Sequence, residues 1–278
     1  ADLGAEVIKI EPLTGDPERL YGRFGALDTS MFERPNWNLL FEMSNRNKRG
    51  ICLDIATPEG HRILTDLVRD ADIFLTNMRP STKTRLGIAY EDLRQANERL
   101  IHLSVSGYGA KGDMADVGAF DGMAQAISSM VYLAGRDEPQ ALQVIVLDQM
   151  TAITASHAAI TALYARERTG EGQEVHVSLY GSALWLMYAN IVQSSVLKTP
   201  INTTWERTKN SFSRTTFQCG DGEWIMGTNH PEDRYWVRFC EAVGEHELAA
   251  DPTMATKEQR DPVNEELIAR FDKIFMTR

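Results

Sequence analysis

Asp148 is the carboxylate in this sequence placed to do chemistry. It stands in V-I-V-L-D-Q-M-T from Val144, between an apolar approach and a helix whose face from Thr151 to Thr161 is mostly Ala, Ser and Thr. A helix start offers four unpartnered backbone N–H groups and the positive end of the dipole, which together hold a carboxylate ionised and fixed in direction. Such a group serves as an ordinary N-cap or as a nucleophile, and the local sequence leaves both open. Small residues let the helix backbone lie close to a neighbouring element or a ligand.

Other residue types with chemical potential fall into two basic clusters. One is Asn45-Arg46-Asn47-Lys48-Arg49, before a strand; the other is Arg79, Lys83 and Arg85, after one. Each reads alone as a solvated face, but against a formal charge of −10 the two together would make a local anion site. Gly107-Tyr108-Gly109-Ala110-Lys111-Gly112 has the G-x-G-x-x-G form after a strand. The dinucleotide fingerprint needs a helix at its third glycine and an acid about twenty residues on, and neither is present, so this is a tight loop at a strand end.

The remaining chemistry is excluded by composition. Six histidines show no ligand spacing, and Cys52, Cys219 and Cys240 form neither a zinc pattern nor a disulfide framework, so no metal is expected and a reducing, cytoplasmic setting fits. The acidic balance argues against nucleic acid. Ser182 to Leu197 is the best apolar run, and Asn190, Gln193, Ser194 and Ser195 interrupt it, so no membrane span is expected.

The elements that must position these residues alternate strand and helix. Strands are predicted at Val7–Ile10, Gly50–Ile55, Ile73–Leu75 and Leu100–Val105, and an alternating strand follows Gly172. Thr57 and Pro58 open a helix with Ile63, Leu64, Leu67 and Val68 on one face, and shorter helices are expected near Arg85 and over Tyr90–Ala96. The pattern predicts an α/β, Rossmann-like large domain with a parallel sheet over residues 1–197. Tyr21 to Phe41 has no period and reads as a long excursion. After a linker at 198–210, Gly220-Asp221-Gly222 between Ser213–Gln218 and Glu223–Gly227 signals a hairpin. A helix from Pro231, carrying Tyr235, Trp236, Phe239 and Val243, then stops at Gly244. Residues 211–278 thus read as a smaller α+β domain. The chain begins without Met and ends inside the helical pattern Asn264–Phe275, and is read as a fragment or as trimmed at both ends, with the first strand of the large domain missing and the small domain incomplete.

Seven blocks in order resemble the family III CoA-transferases, the CaiB/BaiF group that includes formyl-CoA transferase, carnitine CoA-transferase and the 2-methylacyl-CoA racemases. They are A-D-L-G-A-E-V-I-K-I-E-P with Gly15-Asp16-Pro17 and Arg19, N-R-N-K-R-G-I-C-L-D-I from Asn45, A-D-I-F-L-T-N-M-R-P from Ala71, R-L-G-I-A-Y-E-D-L from Arg85, R-L-I-H-L-S-V-S-G-Y-G from Arg99, F-D-G-M-A-Q-A from Phe120, and R-T-G-E-G-Q-E-V-H-V-S from Arg168. The resemblance implies that Asp148 is the nucleophile of an acyl-CoA:carboxylate CoA-transferase. It implies a CoA pocket over Leu53, Asp54, Ile55, Ala56, Asn77, Met78, Arg79, Arg85, Phe120 and Asp121, with Arg79 and Arg85 on phosphates. It further implies acyl-CoA and carboxylic acid substrates, an interlocked homodimer, and an oxyanion held by amides near the start of the Asp148 helix. An acyl-CoA racemase or isomerase is the alternative. The racemase branch, however, resembles this chain with a His at the place of Phe120, and without it one of two acid/base groups is lost. A non-catalytic acyl-CoA-binding subunit is the other alternative, and retention of Asp148 argues against it.

Overall fold

A computed structural model describes residues 1–20, 23–24, 27–28, 38–133, 138–200, 207–227 and 230–277. Most of the expected excursion at 21–41, and the centre of the linker at 201–206, lie outside the described residues. The chain divides into two compact units, residues 1–131 with 141–197 and residues 132–140 with 198–278.

The first unit is a mixed α/β fold with parallel strands. Its elements run β1 (Val7–Glu11), β2 (Arg23–Phe24), β3 (Leu27–Asp28), α1 (Leu39–Asn45), β4 (Lys48–Cys52), α2 (Pro58–Arg69), β5 (Ile73–Thr76), α3 (Pro80–Leu86), α4 (Tyr90–Leu93), β6 (Ile101–Ser106), α5 (Asp121–Ile127), α6 (Val146–Thr169), β7 (Gln173–Ser178), α7 (Leu179–Leu186) and α8 (Tyr188–Leu197). The parallel strands form two groups, not one sheet. β1 pairs with β4, and β5-β6-β7 form a three-stranded sheet with β6 in the centre. A parallel pair needs a crossover: α1 lies between β1 and β4, α3 and α4 between β5 and β6, and α5 and α6 between β6 and β7.

Alternation decides the two faces of β6. Leu103 points with Val177 toward α6, where Ala155 and Ala159 give a surface flat enough for close approach. The buried stripe of α6 is Leu147, Thr151, Ala155, Ala159, Ala162 and Arg166, a spacing of three or four throughout. Thr151 Oγ1 donates to Ser182 Oγ of α7 at 2.9 Å, which fastens the N-terminal half of α6. Its C-terminal half is fastened by buried Arg166, which donates to the Asp72 carboxylate at 2.6 Å and to the Arg99 carbonyl at 3.1 Å. The chain then turns at Gly170 and passes Gly172, where a Cβ would stand 2.2 Å from the Leu100 carbonyl oxygen. Only glycine lets β7 enter the sheet there.

β6's opposite face is polar. His102 and Ser104 are buried on it, and Lys83 of α3 reaches in to donate to Ser104 Oγ at 2.7 Å. His102 Nε2 faces the Ile88 carbonyl at 3.0 Å, so it carries the proton and Nδ1 accepts from Ser104.

The second unit has its own core of Phe212, Phe217, Trp236, Cys240, Phe271 and Phe275 with aliphatic neighbours. The expected hairpin forms as β8 (Thr216–Gln218) and β9 (Trp224–Met226), shortened because Phe212–Arg214 makes a 3-10 turn that buries Phe212. Helices α9 (Asp233–Val243), α10 (His246–Ala250), α11 (Lys257–Arg260) and α12 (Asn264–Phe275) follow, with α12 packed on β8 and α10 on α9. Gly244 ends α9 in the left-handed region, as the sequence indicates.

Candidate active site

The Asp148 helix starts earlier than its sequence suggests. Val146 is its first residue and Ile145 its N-cap, so Asp148 sits in the third helical position and is not the cap. Ile145 has no side chain to offer the free amides. The cap comes instead from another helix: Asp121 Oδ2 accepts from Leu147 N at 2.7 Å and from Asp148 N at 3.1 Å. Val146 N donates to the Val144 carbonyl, and Gln149 N to that of Ile145. All amides of the first turn are therefore engaged, which overturns the expectation that they stabilise an oxyanion.

Asp121 is itself held tightly. It opens α5, is 7% exposed, and its Oδ1 accepts from Gln125 Nε2 at 2.5 Å one turn along. Gln125, 1% exposed, also accepts the Leu142 amide on Oε1 at 2.8 Å, while its Nε2 lies 3.5 Å from the Leu142 and Val144 carbonyls. One amide side chain thus ties α5 to the segment that leads into Asp148. Sequence reasoning missed Gln125. The Asp-x-x-x-Gln spacing, which stacks two side chains on one helix face, was the available signal.

Asp148 is exposed as a residue and its carboxyl is partly buried, and among the described residues that carboxyl has no hydrogen bond or ion pair. Partial burial first, and then the negative charge of Asp121, push its pKa above the ordinary carboxylate range. The helix end therefore does not favour the ionised form of Asp148 as the sequence suggests, because the Asp121 carboxylate already takes its amides. An unpaired carboxylate of raised basicity is suited to attack a carbonyl.

The residues expected to bind CoA lie just past strand ends or at helix starts. Leu53 to Ala56 follow β4. Leu53 and Ile55 pack inward against the α2 core. Asp54 builds the turn into α2, its Oδ1 accepting from Ala56 N at 3.0 Å and its carbonyl from Thr57 Oγ1 at 2.8 Å. Asn77, Met78 and Arg79 follow β5, and all three are exposed. Arg79 N-caps α3 by position, and its guanidinium lies against Gly118, where a Cβ would come within 2.6 Å of a guanidinium nitrogen. Asp116, in the same loop, accepts from Ser81 N at 2.9 Å and Ser81 Oγ at 2.7 Å, fixing that loop to α3.

The loop continues through Phe120, 74% exposed, into Asp121. The structure thereby links Arg79, Phe120, Asp121 and Asp148 through one short run of chain. Arg85 is exposed on α3, and among the described residues no hydrogen bond joins it or the 53–56 turn to that run. Lys83, grouped with Arg79 and Arg85 by sequence, points into the core, where burial lowers its pKa, and is not an anion ligand.

A recess of about 410 Å³ is lined by His61, Thr65, Arg69, Gly87, Asp92, Leu93, Gln95 and Ala96, none of them expected site residues. Among the described residues no group of three or more His, Cys, Asp or Glu could hold a metal ion, and no helix is long and apolar enough to cross a membrane.

A family model described as CoA-transferase family III matches residues 1–278. The chain is similar to succinyl-CoA–D-citramalate CoA-transferase of Chloroflexus aurantiacus, 33% identical over 271 residues, covering 96% of this chain and 65% of that protein. It is also similar to acetyl-CoA:oxalate CoA-transferase of Acetobacter aceti, 32% identical over 277 residues, 98% of this chain and 68% of that one. This chain thus spans about two thirds of their length. Among solved structures, a CAIB/BAIF family protein from Brucella suis superposes with a TM-score of 0.81 at 26% identity, over all of this chain and 72% of that one.

Proposed function

Because the chain belongs to CoA-transferase family III, we propose that it moves CoA between an acyl-CoA thioester and a carboxylic acid with Asp148 as the nucleophile. The observation that carries this reading is the partly buried, unpartnered carboxylate of Asp148 in the first turn of α6, raised in basicity beside Asp121.

In this reading a carboxylate oxygen of Asp148 attacks the thioester carbonyl. The C–S bond breaks, CoA thiolate leaves and an acyl-aspartyl anhydride remains. The thiolate then attacks the aspartyl carbonyl, giving aspartyl-CoA thioester and releasing the donor acid as its carboxylate. The acceptor carboxylate attacks that thioester, forming a second anhydride and freeing thiolate again. Attack of thiolate on the acceptor's carbonyl yields the new acyl-CoA and restores Asp148. Every step exchanges one activated acyl bond for another, so the thioester free energy is kept without ATP, provided water is excluded.

CoA binding is assigned to Leu53, Asp54, Ile55, Ala56, Asn77, Met78, Arg79, Arg85, Phe120 and Asp121. Arg79, exposed and seated on Gly118, has the geometry to take a phosphate by its guanidinium fork. Asp121 serves by its backbone, since both its carboxylate oxygens are held by groups of the chain. The homodimer reading is supported by α8, which buries none of its residues within the chain, and by Trp185, Tyr188, Val192 and Val196, all more than half exposed. A cytoplasmic setting is supported by three free cysteines.

The test is to incubate the protein with succinyl-CoA and hydroxylamine and locate the hydroxamate by mass spectrometry. Asp148 carries it if the reading holds, and Asp148→Ala loses both the label and CoA exchange. Exchange by the Ala variant at the wild-type rate overturns the assignment.

A further inference from the structure

We infer that Asp121 and Gln125 form a positioning relay for Asp148: Gln125 orients the Asp121 carboxylate, which fixes the backbone of the nucleophile and faces it with a like charge. The inference rests on Asp148 being the nucleophile and deepens that reading by assigning the D-G-M-A-Q run that the reaction itself leaves without a role.

The geometry is directional at each link. Gln125 is pinned through its oxygen by Leu142 N, so its amide nitrogen is the end that meets Asp121. Asp121 thus has one oxygen on Gln125 and the other on the amides of Leu147 and Asp148. Both oxygens are thereby held by groups of the chain itself. The contacts cross 26 and 27 residues of chain, so the cap of α6 exists only in the tertiary structure.

Charge follows from the same placement. The elements packed against α6 are α5, α7, β6 and β7. Their titratable groups are Asp121 on α5, Tyr180 on α7, His102 on β6, and Glu174 and His176 on β7. Among these only Asp121 bears on the Asp148 carboxyl, where it adds to the effect of burial. An ionised Asp148 repels Asp121, whereas the anhydride and the thioester at that position carry no charge. Acylation relieves the repulsion, so the pair favours the covalent intermediates over the free carboxylate. A plain N-cap such as Ser would satisfy the amides but supply none of this.

The experiment compares Asp121→Asn, Asp121→Ala and Gln125→Met with the wild-type protein by two readouts. One is the titration of Asp148 followed by 13C NMR of the labelled aspartate carboxyls, which needs no substrate. The other is the rate of hydroxamate formation from succinyl-CoA. Asp121→Asn keeps an acceptor for the two amides and removes the charge. Its Asp148 midpoint moves to lower pH, and it acylates within about tenfold of wild type. Asp121→Ala loses cap and charge and acylates at least a hundredfold more slowly. Gln125→Met keeps the charge but frees the Asp121 carboxylate, so the rate falls at least tenfold without a downward move of the midpoint.

A wild-type midpoint in Asp121→Asn, or wild-type acylation in Gln125→Met, overturns the relay. Should either Asp121 variant fail to melt cooperatively, Gln125→Met decides. If the midpoint moves as stated but no protein, wild type included, is labelled at Asp148, the nucleophile assignment fails and the electrostatic pairing stands.

Discussion

Asp121 Oδ2 accepts the backbone N–H of Asp148 at 3.1 Å, so two carboxylates share one helix terminus while only one of them is free to react. The buried one satisfies the amides; the other is left with raised basicity.

With Asp148 as the proposed nucleophile, removing its charge is expected to abolish transfer without destabilising the protein. Burial and Asp121 disfavour its ionised form, so the native pKa lies above the unfolded one. The resulting penalty is absent at low pH, appears as pH rises through the interval between the two values, and is full at neutral pH. Asp148→Asn is therefore expected to match wild type or melt slightly higher at pH 7, by ~0.5 kcal/mol after allowance for solvent screening. Thermal melts at pH 7 and pH 3 check the sign: the difference between variant and wild type shrinks in acid.

The proposed contact of Arg79 with a CoA phosphate predicts that affinity follows the seat of its guanidinium. Arg79→Ala is expected to raise KM for succinyl-CoA by about 10- to 100-fold with kcat little changed, the loss of one charged contact worth ~1.5–3 kcal/mol. Gly118→Ala reproduces part of this rise, because its Cβ occupies the place of the guanidinium and the flexible arginine end swings away. Steady-state kinetics on both variants, with melting curves near wild type, check it. An unchanged KM in Gly118→Ala sinks the role of the seat.

Lys83→Met leaves stability unchanged or raises it by ~1 kcal/mol at neutral pH. Lys83 is 6% exposed, with Ser104 as its hydrogen-bond partner, and burial depresses its pKa, so the charged form is disfavoured below that value. An apolar side chain of similar length fills the same space without a charge to desolvate. Urea unfolding measures the difference. A loss above ~2 kcal/mol would show that the ammonium is needed there.

Arg260→Met unfolds the second unit selectively. Arg260 is 1% exposed and donates to Glu232 at 2.9 Å, to Asp233 at 2.5 Å and to the Met254 carbonyl at 2.8 Å, with its guanidinium over Trp236. Its removal leaves Glu232 buried without its counter-charge, a cost of ~3–5 kcal/mol. Trp236 fluorescence should report the early transition, while hydrogen exchange at β6 keeps its wild-type protection.

What the sequence determined by itself is local in origin. Thr57-Pro58 started α2, Gly170 ended α6, Gly220-Asp221-Gly222 made a hairpin turn, and alternation marked β6 and β7, because caps, turns and periodicity depend on residues a few positions apart. The seven ordered blocks were equally legible, and with them the family. Tertiary structure decided where identical residue types point. Lys83 and Arg79 are four positions apart, yet one is buried against Ser104 and the other lies over Gly118, because Lys83 sits inside α3 whereas Arg79 is its extended N-cap and follows the loop. It also decided the state of Asp148. The helix offers it amides, and a carboxylate 27 residues away takes them first, a competition between distant groups that no stretch of chain contains.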